Sequence, residues 1–160
     1  MKYIILKCLF ISFAITWLTV FKLNFDNFLQ FTTKNFNPPE SVARICDWQY
    51  VLIKLNTDSM NRVVDYEVLN DFSEDFKSSL TYLKGYQFGK NMPINKRSIV
   101  FCLSIINLRI ENCDTVGPNH RKLLKGVDKL REYKKTHHLD DRNNIFIYKE
   151  VTKQIFDPIN

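Results

Sequence analysis

Glycine and alanine are both rare, at four and two positions in 160 residues. So few glycines leave little backbone for phosphate loops or tight substrate turns. The sequence has no dinucleotide-type glycine loop, no Gly-x-Ser-x-Gly elbow and no His-Glu-x-x-His pair, so no motif names a reaction. The run from Gly85 through Gly89 and Lys90 is one residue short of a phosphate loop, and Asn91 stands where Ser or Thr should bind magnesium. No two of the four cysteines (Cys8, Cys46, Cys102, Cys113) lie three apart, which argues against a zinc knuckle or a redox pair. None of the 15 asparagines begins an Asn-x-Ser/Thr sequon, so glycosylation by the usual signal is excluded. There are no internal repeats and no low-complexity tract. No cofactor is expected.

What is present is ordinary globular material, with 45% hydrophobic and 25% charged residues, in a length that fits one domain. Lys, Asn, Ile and Phe are over-used, as an AT-rich gene would give. Spacing is therefore the better guide to structure than composition.

The first hydrophobic feature is a leader. Lys2 and Lys7 precede an unbroken apolar run from Cys8 to Phe21. The run suits a signal-peptide core and is short for a spanning helix. Good small-x-small cleavage residues are missing, and Trp17 and Phe21 suit a membrane interface, so residues 1–21 are expected as either a signal peptide or an uncleaved signal anchor. Both options place the domain outside the cytoplasm, secreted or tethered. Residues 22–37 read as a linker or an extension of the leader helix. Phe25, Phe28, Phe31 and Phe36 recur there at helix-like spacing, to pack on the domain or lie along a bilayer.

Residues 38–160 are expected as the single globular domain. Asn37, Pro38 and Glu40 give a helix start for a short helix over 38–47. "WQYVLIKLN" and "RVVDYEVLN" flank turn chemistry and read as a hairpin, with Val64, Tyr66 and Val68 on one face and Asp65 and Glu67 on the other. Phe72, Phe76, Leu80 and Leu83 share one helical face, with Gly85 as a stop. "RSIVFCLSIINLRIEN" reads as a long, mostly buried strand, with a buried helix as the alternative because Ile99, Leu103, Ile106 and Ile110 also fit helical spacing. "GPNHRKLLKGVDKLREYKK" is a helix with Leu123, Leu124, Val127 and Leu130 as its apolar stripe. "NIFIYKEVTKQIF" fits a closing strand or a final helix. The order α-β-β-α-β-α-β points to an α+β fold with about four strands and three helices on one face of the sheet. An all-α helical bundle is the alternative.

Charge is unevenly placed. Residues 119–138 hold seven Lys/Arg against two acids, and residues 58–75 hold six acids against one Arg. Arg121, Lys122, Lys125 and Lys129 fall on one helical face, opposite the apolar stripe, and are the candidate binding residues. That face suits an acidic partner protein or an anionic membrane; alternatively, the two charged segments complement each other within the fold. Nucleic acid is not expected, because no aromatics interleave on the basic face and the leader directs the domain across a membrane. His137, His138, Asp140 and Asp141, with His120, are a candidate metal cluster whose bland reading is a polar turn. Cys113 with His120 is a candidate thiol–base pair, and Cys102 with Cys113 a candidate disulfide. The bland reading of each is a buried, reduced thiol. These features favour a non-enzymatic extracytoplasmic interaction or signalling module. A peripheral membrane binder, or a thiol- or metal-dependent enzyme, is the alternative.

Overall fold

Alternating side chains and one strand buried on both faces organise the sheet. The structure, a computed structural model, describes residues 25–43, 49–90, 92, 94, 97–107 and 125–155. The leader, Cys46, Cys113, His120 and residues 121–124 lie outside the described residues. Helix α1 covers residues 25–35 and α2 covers Glu40–Ala43. Strands β1 (Gln49–Thr57) and β2 (Val63–Val68) form an antiparallel hairpin, followed by α3 (Glu74–Ser79) and a 3₁₀ turn at Thr81–Leu83. Strand β3 (Ser98–Asn107), α4 (Lys125–Thr136) and β4 (Asn144–Ile155) complete the order. The sheet runs β2-β1-β3-β4, with β4 parallel to β3. The fold is α+β, and the all-α alternative is excluded because both disputed apolar segments pair as strands.

Strand β3 explains the architecture. Ile99, Phe101, Leu103 and Ile105 point to one side; Val100, Cys102 and Ser104 point to the other, and all are essentially fully buried. A strand covered on both faces reads as a continuous apolar run rather than an alternating one. The first face carries the main core, where α1, α2 and α3 meet β1, β3 and β4. On the second face Leu130 of α4 packs with Leu52, Val100 and Cys102. The helices therefore flank both faces instead of the one expected. A parallel β3-to-β4 connection needs a crossover, and α4 lies in it.

From residue 25 the stretch expected as a linker or an extension of the leader helix is a helix of the core. Phe25, Phe28, Leu29 and Thr32 are buried at spacings of three and four, and Phe36 follows at 1% exposure. The Phe28 ring meets Phe101 at 5.2 Å, Phe88 at 5.1 Å and Tyr86 at 5.2 Å. Packing on the domain thus accounts for these phenylalanines. Pro38 and Pro39 end the helix, and the Pro39 carbonyl accepts from Val42 and Ala43 at the start of α2. Among the described residues no helix is long and apolar enough to cross a membrane.

The hairpin departs from the expected alternation at one point. A bulge shifts the register between Asn56↔Asp65 and Thr57↔Val63. The extra residue flips the phase, so Val63 is buried and Val64 is 52% exposed. Tyr66 and Val68 keep the inward side against the core. Phe76, Leu80 and Leu83 are fully buried as expected, and Gly85 ends the segment at φ +86°.

The oppositely charged segments do not neutralise each other in the described ion pairs. Asp65 pairs with Lys84 at 2.9 Å and Glu67 with Lys54 at 3.6 Å. In α4 Lys129 pairs with Glu132 and Arg131 with Asp128, at 2.9 and 2.8 Å. The physical reason is placement. Strand β2 is an edge of the sheet, whereas α4 lies over β1, β3 and β4 on the second face.

Candidate functional site

Helix α4 covers the second face unevenly, and its sequence says why. On its β4 side, long cationic side chains lie down over aromatic rings. Lys134 Nζ sits 4.4 Å from the Phe146 ring centroid, and Arg131 lies 5.6 Å from that of Tyr148. Such side chains bury their stems while the charge meets the ring face. Lys134 also donates to Asp141, and this hydrogen bond chiefly holds its ammonium above the usual lysine value.

On its β1 side α4 leaves a hollow of about 380 Å³. Tyr50 and Leu52 lie on the sheet side of this hollow, and Tyr133 and His137 come from the helix side. Tyr133 and His137 are one helical turn apart, and their rings stack at 3.8 Å with an 18° interplanar angle. The His137 Nδ1 lies 3.1 Å from the Tyr133 carbonyl oxygen. A carbonyl only accepts, so this contact is a hydrogen bond when the proton sits on Nδ1. Lys129, Glu132 and Thr136 line the hollow along the helix.

The far wall is Asn70, whose amide acts as a strand residue. Leu52 N–H donates to Asn70 Oδ1 at 2.7 Å, and Asn70 Nδ2 donates to the Tyr50 carbonyl at 2.8 Å. The backbone ladder to β2 ends at Ile53↔Val68. Asn70 therefore satisfies two β1 groups just beyond that end, and fixes the backbone beneath Tyr50 and Leu52.

Another hollow, about 460 Å³, lies between α1 and β4. It is crossed by a Lys149–Asp26 ion pair at 2.7 Å and by Lys153 donating to the Thr33 carbonyl at 3.3 Å. Lysines along an edge strand discourage pairing with another chain.

The candidate residues divide as follows. Lys129 lies on exposed α4 beside the first hollow. Lys125 begins α4, and only its backbone is described. Arg121 and Lys122 lie outside the described residues, as does the Cys113–His120 pair. Cys102 is fully buried among Leu52, Val100 and Leu130. The His137–Asp141 cluster is drawn apart by separate partners. His137 stacks on Tyr133, Asp141 takes Lys134, and Asp140 Oδ1 accepts from the Arg142 amide at 2.8 Å. His138 adopts φ +49°, which turns the chain. Among the described residues no three His, Cys, Asp or Glu side chains converge as a metal group.

Tyr50, Asn70 and Tyr133 escaped the sequence reading. Tyr50 and Leu52 alternate on one side of β1, and Tyr133 and His137 share a helical face, so partial signals exist. Nothing in sequence joins the three elements.

Comparison with protein-family models, with curated proteins and with solved structures finds no match for this chain.

Proposed function

We propose that the protein is a non-enzymatic interaction module that binds another protein on the extracytoplasmic side of a membrane, secreted or tethered through residues 1–21. The observation that carries this reading is the incompletely covered second face. There, a helix with five cations against two acids borders a hollow lined by Tyr50, Leu52 and Tyr133. An aromatic, apolar centre with a charged rim is the usual composition of a protein-binding patch. The apolar leader supports the compartment.

The test reverses the charge of Arg121, Lys122, Lys125 and Lys129 to Glu and measures cross-linked partner recovered from the native host. Recovery falls if the helix is the contact surface; unchanged recovery refutes the assignment. N-terminal sequencing with intact mass of the native protein tests the leader and the oxidation of Cys102 with Cys113.

The basic content of α4 also favours a second reading, peripheral binding to anionic membrane. Co-sedimentation with phosphatidylserine vesicles that is lost on neutral vesicles supports it, and absence of binding to either removes it.

A further inference from the structure

The start of α1 and the tip of the β1–β2 hairpin share one end of the molecule. Phe25 opens α1 and meets Phe88 at 6.1 Å. The loop that carries Phe88 is bound to the hairpin tip. Asn61 Nδ2 donates to the Gly89 and Met92 carbonyls at 3.2 and 2.9 Å, and the Phe88 amide donates to the Asn61 carbonyl at 3.1 Å. Met60 stands at that tip and is 66% exposed, more than any other large hydrophobic side chain among the described residues. Its backbone is held in place: the amide donates to Asp58 Oδ1 at 2.8 Å, and the carbonyl accepts from Gln87 Nε2.

We propose that this end faces the bilayer, with Met60 in the headgroup layer, when residues 1–21 are retained as an anchor. The inference rests on the tethered form of the reading above, and adds to it a lipid-contact surface and an orientation.

Two independent observations carry it. The first is the length of the tether. The apolar run of the leader ends at Phe21, and the core begins at Phe25. Four residue steps span at most about 14 Å, and the headgroup layer takes about 5–8 Å of that. Phe25 and Phe28 are buried in the first core, so the tether cannot lengthen without unmaking the start of α1. The second observation is Met60. The end that the tether draws to the membrane is also the end that leaves an apolar, flexible side chain in solvent, and a thioether adapts to irregular apolar surroundings. Asp58 stands here with Arg62 and Lys90, so both signs of charge are present and the contact does not require anionic lipid. One consequence reaches the hollow beside α4. Tyr50 lies seven residues before Thr57, about 23 Å along β1 from the tip, so the orientation leaves Tyr50 open to a partner protein.

The experiment places a benzophenone amino acid at position 60 of the full-length protein, inserts the protein into phosphatidylcholine vesicles, and detects lipid cross-linked on illumination by mass spectrometry. Position 78 is the control. Ser78 is exposed on α3, and Phe76 of that helix meets Phe36 just beyond the far end of α1 at 5.6 Å; the helix itself spans about 15 Å. Both labels replace exposed side chains, so the fold is retained. Alkaline carbonate extraction of the same vesicles reports whether the chain is anchored. The expected result is a chain that resists extraction and gives lipid adducts at position 60 and none at position 78. An anchored chain without adducts at position 60, or with equal adducts at both positions, overturns the orientation while the tether stands. A chain released by carbonate refutes the tether, and this inference falls with it.

Discussion

Phe28→Ala tests the claim that α1 is part of the core rather than a tether between leader and domain. Phe28 is fully buried, and its ring meets Phe101 edge-on, Phe88 at a tilt and Tyr86 edge-on, all between 5.1 and 5.2 Å. Removing the ring loses about 2–3 kcal/mol of transfer free energy. The lost ring pairs and the residual cavity add to this, and Phe-to-Ala changes in cores cost about 3–5 kcal/mol in total. A value near 4 kcal/mol is expected here, because Phe101 sits on the central strand and cannot collapse into the space. With a urea dependence of about 2 kcal/mol per molar, the unfolding midpoint falls by about 2 M. Asn27→Ala, on the exposed side of the same helix, is the control and changes stability by less than about 0.5 kcal/mol. If Phe28→Ala shifts the midpoint no more than Asn27→Ala, α1 does not hold the fold and the core assignment is wrong.

Asn70→Ala strands the Tyr50 carbonyl and the Leu52 amide and is expected to cost about 2 kcal/mol; faster hydrogen exchange at Leu52 reports it, and unchanged exchange contradicts the amide's role. Burial raises the pKa of Tyr66, Tyr82 and Tyr86 above the ordinary tyrosine value of 10.0. Their contribution to stability is full below pH 10 and is lost as pH rises from there toward the folded values. Tyrosinate absorbance is therefore expected to lag the free amino acid until the protein unfolds, and full titration of a still-folded chain near pH 10 refutes it. Among the described residues the buried Tyr82 hydroxyl interacts with the Thr32 side chain without completing a well-formed hydrogen bond, so Tyr82→Phe is expected to keep or raise the melting temperature and to reduce the alkaline loss. Gly85→Ala places a side chain at φ +86°, with its Cβ 3.4 Å from the Arg62 guanidinium. A loss of about 1 kcal/mol or more is expected on thermal unfolding.

Elements whose side-chain period matched their final environment were readable from sequence. The hairpin, the Phe76-Leu80-Leu83 stripe and the doubly buried β3 belong to this class. Strand β4 resisted because Lys149 and Lys153 occupy the same side of the strand as Ile147, Val151 and Ile155, leaving the apolar residues at a helix-like spacing of four. The structure shows why lysines stand there: each reaches across to α1, to Asp26 and to the Thr33 carbonyl. Helix α1 was legible in the helix-like spacing of its phenylalanines, and only its place in the core was hidden. Its Asn, Thr and Lys residues resemble a linker, and only contact with Tyr86, Phe88 and Phe101, at least fifty residues away in sequence, gives its phenylalanines a core to enter. The Val64 error came from a bulge, which no alternation rule foresees. The candidate hollow beside α4 was illegible because β1, the segment after β2, and α4 each supply a fragment.

The uneven covering of the sheet also says where function is affordable. On the first face three helices bury an aromatic core, so substitution there acts through folding, and a binding defect cannot be told from a stability defect. On the second face the fully enclosed contacts among the described residues reduce to Leu52, Val100, Cys102 and Leu130. Tyr50 and Tyr133 pack against that small cluster yet keep part of their surface in solvent, and Lys129 and His137 are exposed. Changes at exposed Lys129 and Asp71 therefore alter surface charge while leaving both cores intact. Strand β3 is the exception, since Phe101 and Cys102 are adjacent residues serving opposite faces. A cavity made under Phe101 displaces the strand that pairs with Tyr50, so a core mutation there is expected to weaken docking even where the protein still folds. Phe101→Leu separates the two effects. If the variant folds and yet loses affinity for the partner protein, the platform under Tyr50 is set by core packing; if affinity is unchanged, Asn70 alone is sufficient to hold it.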